Sequence, residues 1–303
     1  MNYIVIAIIA YFILALSFVL DKFLLSDRIP KPSVYAFYVA LLSFVSLVLA
    51  PFGFYLQSFD LFVSSIVSGM LFIYAILFFY RSVKVNEISR VAPLIGLVLV
   101  ITTSFISIIF LGDVFTQIDL WGMFFLLIGG FLISFDLPIK SLKIFNGFYN
   151  SLISGVLFAV AYSIFKYVYN NDIFVNGFIW TRMGLFAGGL SLLTIPAFRE
   201  EIVSSLKGFR KNKKKNLSTA VIFIGNKALG GGYSILMSYA VYLGNVAIVN
   251  ALSSVQFVFV LILASVASLK FPELFGEKLF FWDWTQKIGA ILLIGIGIVL
   301  VSI

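Results

Sequence analysis

The apolar run YIVIAIIAYFILALSFVL occupies residues 3–20, contains no charged side chain, and is followed directly by Asp21 and Lys22. A helix needs about 20 mostly apolar residues to cross the hydrocarbon core of a bilayer, with a range of about 17 to 25. The run therefore predicts a membrane-spanning helix. Its flanks lack the basic region and the small-residue cleavage site of a secretory signal peptide, so we expect the helix to be retained.

Nine similar stretches follow the first along the chain. The composition agrees with a membrane protein, because 62% of the 303 residues are hydrophobic and 11% are charged, against about 25% charged residues in soluble domains. We therefore predict an all-α integral membrane protein with ten transmembrane helices. The ten stretches lie near residues 3–20, 34–54, 61–80, 88–111, 120–135, 147–168, 174–197, 219–243, 246–269 and 285–302.

The 21 lysines and arginines are spread unevenly over the gaps between these stretches. Eighteen of them lie in alternate gaps, and the exceptions are Lys166, Arg182 and Lys227. Because cationic loops cross a membrane poorly, we expect the basic gaps on the cytoplasmic side of the cell (plasma or inner) membrane and both termini outside. The net charge of +8 then reflects topology, and we expect no nucleic-acid partner.

The most basic gap is a predicted cytoplasmic loop at residues 199–217, which contains RKNKKKN at residues 210–216. Such a run is usually a solvated topology anchor. The alternative is that Arg210–Lys215 bind anionic lipid headgroups.

The sequence contains no cysteine and no histidine. This composition excludes disulfides, the usual zinc ligand sets, thiol nucleophiles and Ser-His or Cys-His catalytic arrangements. We therefore expect no catalytic residues, no metal and no cofactor, and we do not expect an enzyme.

The second half of the chain resembles the first half in several ordered positions. ALSFVLDK at residues 15–22 aligns with AVAYSIFK at residues 159–166, and GDVFTQIDLWGMFFLLIGG at residues 112–130 resembles the stretch that begins at Gly276. Five helices per half is an odd number, so the halves must have opposite orientations. We predict inverted repeats at residues 1–142 and 143–303 that form one transport domain, with its site at their interface.

These features resemble the drug/metabolite transporter superfamily, and within it the EamA-like ten-helix permeases. The shared features are two five-helix halves, a lysine that closes the first helix of each half, and a Gly-acid pair before the last helix of each half, here Gly112-Asp113 and Gly276-Glu277. The resemblance implies a small-metabolite permease that works by alternating access, and we expect it to function as a monomer.

Ionisable side chains inside the apolar stretches are candidates for function, because burial in a bilayer costs such groups several kcal/mol. Arg182 is predicted to anchor a substrate carboxylate or phosphate. Lys227 is a further candidate, with the alternative that its side chain reaches the headgroups from within two turns of a helix end.

Uncharged polar side chains in helices three, eight and nine are predicted to orient the substrate in a central cavity. The candidates are Tyr80, Tyr239, Asn250 and Gln256. For the two amides, the alternative is hydrogen bonding between helices.

All 13 aspartates and glutamates lie at helix ends or in loops. We therefore expect no buried carboxylate of the kind that proton-coupled export of lipophilic cations requires. The predicted substrate is a neutral, zwitterionic or anionic metabolite such as an amino acid. The alternative is a lipid or lipid-linked sugar, which a lateral opening between helices would favour.

Pro93 and the run Gly230, Gly231 and Gly232 are candidate hinges for gating. Proline removes a backbone hydrogen bond from a helix, and gating motions need positions that absorb backbone rotation. The alternative for the glycines is close packing between helices.

Overall fold

The computed structural model describes residues 2–24, 31–85, 88–134, 147–208, 213–268 and 281–303. All regular elements within these ranges are helices. They are α1 (Tyr3–Phe23), α2 (Pro32–Ser43) with a 3₁₀ extension (Phe44–Phe52), α3 (Phe59–Val85), α4 (Ile88–Ile106) with a π-helical turn (Ser107–Leu111), α5 (Gln117–Ser134), α6 (Phe148–Asn171), α7 (Phe174–Ser191) with a 3₁₀ turn (Leu192–Thr194), α8 (Pro196–Gly208), α9 (Lys213–Leu243), α10 (Val246–Ala251), α11 (Ser253–Ser268) and α12 (Phe281–Ser302).

The lengths and apolar character of these helices are those of a membrane protein. In the described part of the chain, eight helical segments are long and apolar enough to cross a bilayer. A ninth span results if Phe174–Thr194 and Pro196–Lys207, which meet at a bend of 103°, are one broken span. The apolar part of α5, Gln117–Leu132, is shorter. Ten spans and the inverted repeat therefore remain predictions.

The basic segment predicted as a cytoplasmic loop, residues 199–217, is helical in its described part. Its first part belongs to α8, where Ile202 is fully buried, and α9 already begins at Lys213. The proposed headgroup site Arg210–Lys215 lies outside the residues whose side chains are described.

α3 and α7 pack with their backbones in contact. A Cβ atom added at Gly184 would lie 2.5 Å from the carbonyl oxygen of Ser65 and 2.8 Å from that of Ile66. A Cβ atom added at Gly69 would meet the α7 backbone near Thr181. Glycine is needed here because the two backbones approach too closely for any side chain. α3 also packs against α6, and α7 packs against α2 and its 3₁₀ extension.

A second group of helices is built around α1, which packs along α9 and α11. α5 pairs with α12, and α4 packs mainly on α6.

The predicted hinge positions do not interrupt their helices in this structure: Pro93 lies within α4 and Gly230–Gly232 lie within α9. A hinge role for these residues remains a prediction. Close packing does not explain Gly230–Gly232, because a Cβ added at each would meet no atom within 4 Å.

A central cavity with an unpaired arginine

A cavity of about 650 Å³ lies between the two groups of helices. Its walls come from α1, α2 with its 3₁₀ extension, α3, α4, α6, α7, α9 and α11. Most of the lining is apolar. The charged and polar lining residues that matter below are Ser17, Asp21, Ser46, Tyr80, Tyr162, Arg182, Lys227, Tyr233 and Gln256.

Arg182 reaches this cavity from α7 and is 5% exposed. Its guanidinium donates to the Ser238 hydroxyl at 2.9 Å and lies over three phenylalanine rings, of which Phe178 is nearest at 4.7 Å from the ring centroid. Its Nε has no hydrogen-bond partner among the residues that the structure describes. In the described part of the chain, no carboxylate forms an ion pair with it. Since a buried charge is normally paired, Arg182 provides an uncompensated positive site in the cavity.

Two further buried polar atoms in the cavity wall lack hydrogen-bond partners within the described ranges. They are the hydroxyl oxygen of Ser46 and the amide nitrogen of Gln256. Buried polar groups in folded proteins are nearly always hydrogen-bonded, so each orphaned group needs an explanation. With Arg182 Nε, these atoms form a set of polar groups available to a bound molecule.

A second cation that lines the cavity, Lys227, has a different environment. Its ammonium group forms an ion pair with Asp21 Oδ1 at 2.8 Å and lies 4.7 Å from the centroid of the Tyr35 ring. Asn226 Nδ2 donates to the same carboxylate oxygen at 2.6 Å, and the Tyr35 hydroxyl also donates to it. Tyr80 completes the group at 3.5 Å from Lys227 Nζ. The network joins α1, α2, α3 and α9 at one end of the cavity.

This network corrects the expectation that the chain has no buried carboxylate. Asp21 does lie near the end of α1, but it is 3% exposed. The ends of α2 and α3 and the body of α9 cover it. Asp21 is therefore buried although it lies near a helix end. The same network accounts for Lys227. Its ammonium group forms an ion pair with Asp21, so the side chain does not extend to the headgroups.

The structure brings some of the predicted site residues together and leaves others outside. Arg182, Lys227, Tyr80 and Gln256 line the cavity, as do Gly230–Gly232. Tyr239 does not line it: this side chain is 39% exposed and packs on Phe174 at a centroid distance of 5.2 Å. Asn250 is fully buried in α10, away from the cavity lining, with both amide atoms unpartnered. Pro93 is also absent from the described lining.

Several polar residues of the cavity were not among the predicted site residues. The hydroxyls of Tyr162 and Tyr233 lie 3.0 Å apart and connect α6 to α9, while Ser17 donates to Asn226 Oδ1 at 2.7 Å. Serine and tyrosine also occur on lipid-facing and packed surfaces of these helices, so no spacing singled these positions out. A link between Asp21 and Lys227 had no local signal either, because the two are far apart in sequence.

At the opposite end of the bundle, Asp172 holds the connection between α2 and α3 against the start of α7. It accepts hydrogen bonds from the Tyr55 hydroxyl, from Gln57 Nε2 at 2.6 Å and from Asn176 Nδ2 at 2.8 Å. Trp180 Nε1 donates to the Tyr55 carbonyl at 2.9 Å. The hydrogen bond to Asp172 raises the pKa of the Tyr55 hydroxyl above its usual value. Tyr55 therefore keeps its proton, and this bond, at pH values where a free tyrosine begins to ionise.

Comparison with known proteins identifies the fold and not the function. No family model matches the sequence, and no curated protein matches it. In contrast, 28 chains of solved structures match at a significant level. One of them, described as "Crystal structure of protein", has a TM-score of 0.61 and 15% sequence identity. The match covers 99% of this chain and 95% of the other chain. At this identity the similarity shows a shared fold over the full length.

Proposed function

We propose that this protein is a transporter for a small molecule that carries an anionic group, such as an organic acid, a phosphate ester or an amino acid. The observation that supports this proposal most directly is the unpaired guanidinium of Arg182 in the wall of a cavity formed by membrane-spanning helices. A substrate carboxylate or phosphate would satisfy both the charge and the free Nε. Arginine suits this role because its planar group binds such anions through two parallel hydrogen bonds.

Alternating access around the cavity is the proposed mechanism, as in the drug/metabolite transporters that the sequence resembles. The cavity lies between a group containing α2, α3, α6 and α7 and a group containing α1, α9 and α11. Polar contacts connect the groups on both sides of the cavity: Arg182 to Ser238, and Asp21 to Tyr35. Rocking of one group against the other would break one set of contacts and expose the cavity to one face of the membrane. In this proposal the protein has no catalytic role.

The site is tested by ligand binding to the purified protein. A panel of organic acids, phosphate esters and amino acids is first screened for ligands that raise the melting temperature of the wild type. We expect Arg182→Gln to bind these ligands about tenfold more weakly or worse, because a hydrogen bond to a charged group contributes about 1.5–3 kcal/mol. Isothermal titration calorimetry measures the loss. Lys166→Gln is the matched control, since Lys166 does not line the cavity and donates to the Tyr242 carbonyl. Equal affinities for the two variants would contradict the site.

The proposed orientation places the basic connections in the cytoplasm and both termini outside the cell. We expect a fluorescent protein that matures only in the cytoplasm to remain dark when fused after Ile303 and to fluoresce when inserted after Phe209. Whole-cell fluorescence, normalised to protein level on an immunoblot, checks both fusions. A bright fusion at Ile303 would contradict the orientation.

A further inference from the structure

Among the described helices, none covers one face of α9 around its three consecutive glycines. Gly230, Gly231 and Gly232 are consecutive, and a Cβ added at any of them would meet no atom within 4 Å. Successive residues of an α-helix point about 100° apart, so these three positions sample roughly 200° of the helix circumference. At this level, the described residues therefore leave more than half of the circumference of α9 without a neighbour in contact with the Cβ position. Because all three residues line the cavity, the bare face borders the cavity.

The facing wall is the 3₁₀ extension of α2, which is also exposed. Val45 and Val48 line the cavity yet are 59% and 71% exposed. α2 and α9 meet where Phe223 packs against Tyr35, at a centroid distance of 5.2 Å, and against Tyr38, at 6.0 Å. Beyond this contact, the described segments of α9 and the 3₁₀ extension do not form a packed interface. The cavity is therefore open sideways between them.

The opening lies at the depth of the hydrocarbon core. Gly231 is midway along the span Thr219–Leu243, and Val45 lies near the middle of the span Pro32–Phe52. The residues that line the cavity and remain exposed near the opening are apolar on both sides, and on α9 they include Ile224 and Ile235. An apolar opening at this depth faces lipid chains, and hydrocarbon can fill it without loss of hydration.

We infer that this opening is a lateral portal, and that the substrate is an amphiphile whose anionic head binds Arg182 while its hydrocarbon tail passes between α9 and the 3₁₀ extension. The inference rests on the proposed function, because its head site is the Arg182 site assigned there to the anionic group of the substrate. The inference adds to that function the hydrocarbon tail of the substrate and the route of this tail between α9 and the 3₁₀ extension. The positive charge of Arg182 favours an anionic head. The apolar, exposed walls of the opening favour a hydrocarbon tail over a second polar group.

The test compares a short and a long carboxylate, butanoate and dodecanoate, in their binding to the full-length protein in nanodiscs, with empty nanodiscs as the blank. Gly231→Leu places a side chain in the portal, at a position where an added Cβ atom meets no described atom within 4 Å. The matched control is Gly225→Leu, on the same helix, equally free of neighbours and outside the cavity lining. Arg182→Gln tests the head site.

For the wild type, we expect dodecanoate to bind more tightly than butanoate. Gly231→Leu should weaken dodecanoate binding about tenfold, the equivalent of about two buried methylene groups, and leave butanoate binding unchanged. Gly225→Leu should alter neither. Arg182→Gln should weaken both ligands.

The remaining outcomes separate the two proposals. If Gly231→Leu and Gly225→Leu behave alike with dodecanoate, or if wild type binds neither acid, the portal is overturned, whatever Arg182→Gln does. If dodecanoate binding depends on Gly231 and not on Arg182, an ordinary lipid chain fills the opening and the substrate class is overturned. If butanoate binding is unaffected by Arg182→Gln, the head site of the proposed function itself fails.

Discussion

Replacing Asp21 with asparagine is expected to destabilise the protein by about 3–5 kcal/mol, the usual consequence of leaving one partner of a buried ion pair without the other. Asp21 and Lys227 have side-chain exposures of only 5% and 11%, so solvent compensates little for the lost charge. Asparagine keeps the size of the side chain and one hydrogen-bond acceptor. The loss therefore reports on charge. Equilibrium unfolding in mixed detergent micelles, followed by circular dichroism, measures it.

The double variant Asp21→Asn/Lys227→Met separates pairing from packing. It leaves neither charge buried, so we expect it to recover most of the stability that the single variant loses. Asp60→Asn is the matched control, because Asp60 is exposed at the start of α3. A single-variant loss below about 1 kcal/mol, as for exposed pairs, would contradict burial of the pair and indicate that water enters the cavity to Asp21.

The Asp21–Lys227 pair shows what sequence reasoning can and cannot find in this chain. Lys227 is one of the three cations that the topology does not require, so the charge pattern alone drew attention to it. Asp21 lies near a helix end, where a carboxylate is normally solvated. Its burial depends on which helices surround that end. This information comes from tertiary packing and has no local signature.

The membrane helices were predictable for a simple physical reason. A bilayer requires long apolar segments, and each predicted stretch coincides with helical structure in its described part. More polar segments follow weaker rules. Residues 199–208 look like a loop because they are polar, yet the apolar face around Ile202 forms the helix α8.

The site was predictable to the extent that charge marks it. Arg182 stands out because an unpaired cation in an apolar stretch needs a reason. Tyr239 and Asn250 were equally plausible from the sequence, but the angular position of each on its helix turns it away from the cavity. In a soluble protein, the distribution of polar and apolar residues around the helix would have shown which side each residue faces. In a membrane protein both lipid and protein neighbours are apolar, so the pattern is weak.

Gly184→Ala is expected to destabilise the protein by about 3 kcal/mol or more, at the upper end of the range for overpacked interiors. The added Cβ would lie 2.5 Å from the Ser65 carbonyl oxygen and 2.8 Å from that of Ile66. Both neighbours are backbone atoms of α3, which no side-chain rotation can move aside. The helices must separate, and α7 would carry Arg182 away from its position in the cavity wall. We therefore expect ligand binding to weaken together with stability.

Gly225→Ala makes the same chemical change as Gly184→Ala at a position without close neighbours, and we expect the opposite effect on stability. Gly225 lies in the interior of α9, and an added Cβ would meet no atom within 4 Å. Alanine is preferred over glycine in a helix interior by about 1 kcal/mol, so this variant should be as stable as the wild type or slightly more stable. Unfolding midpoints in mixed micelles compare the two variants. Equal midpoints would show that α3 and α7 are not held at backbone contact, because a methyl group is tolerated at Gly184 only if the two helices lie further apart.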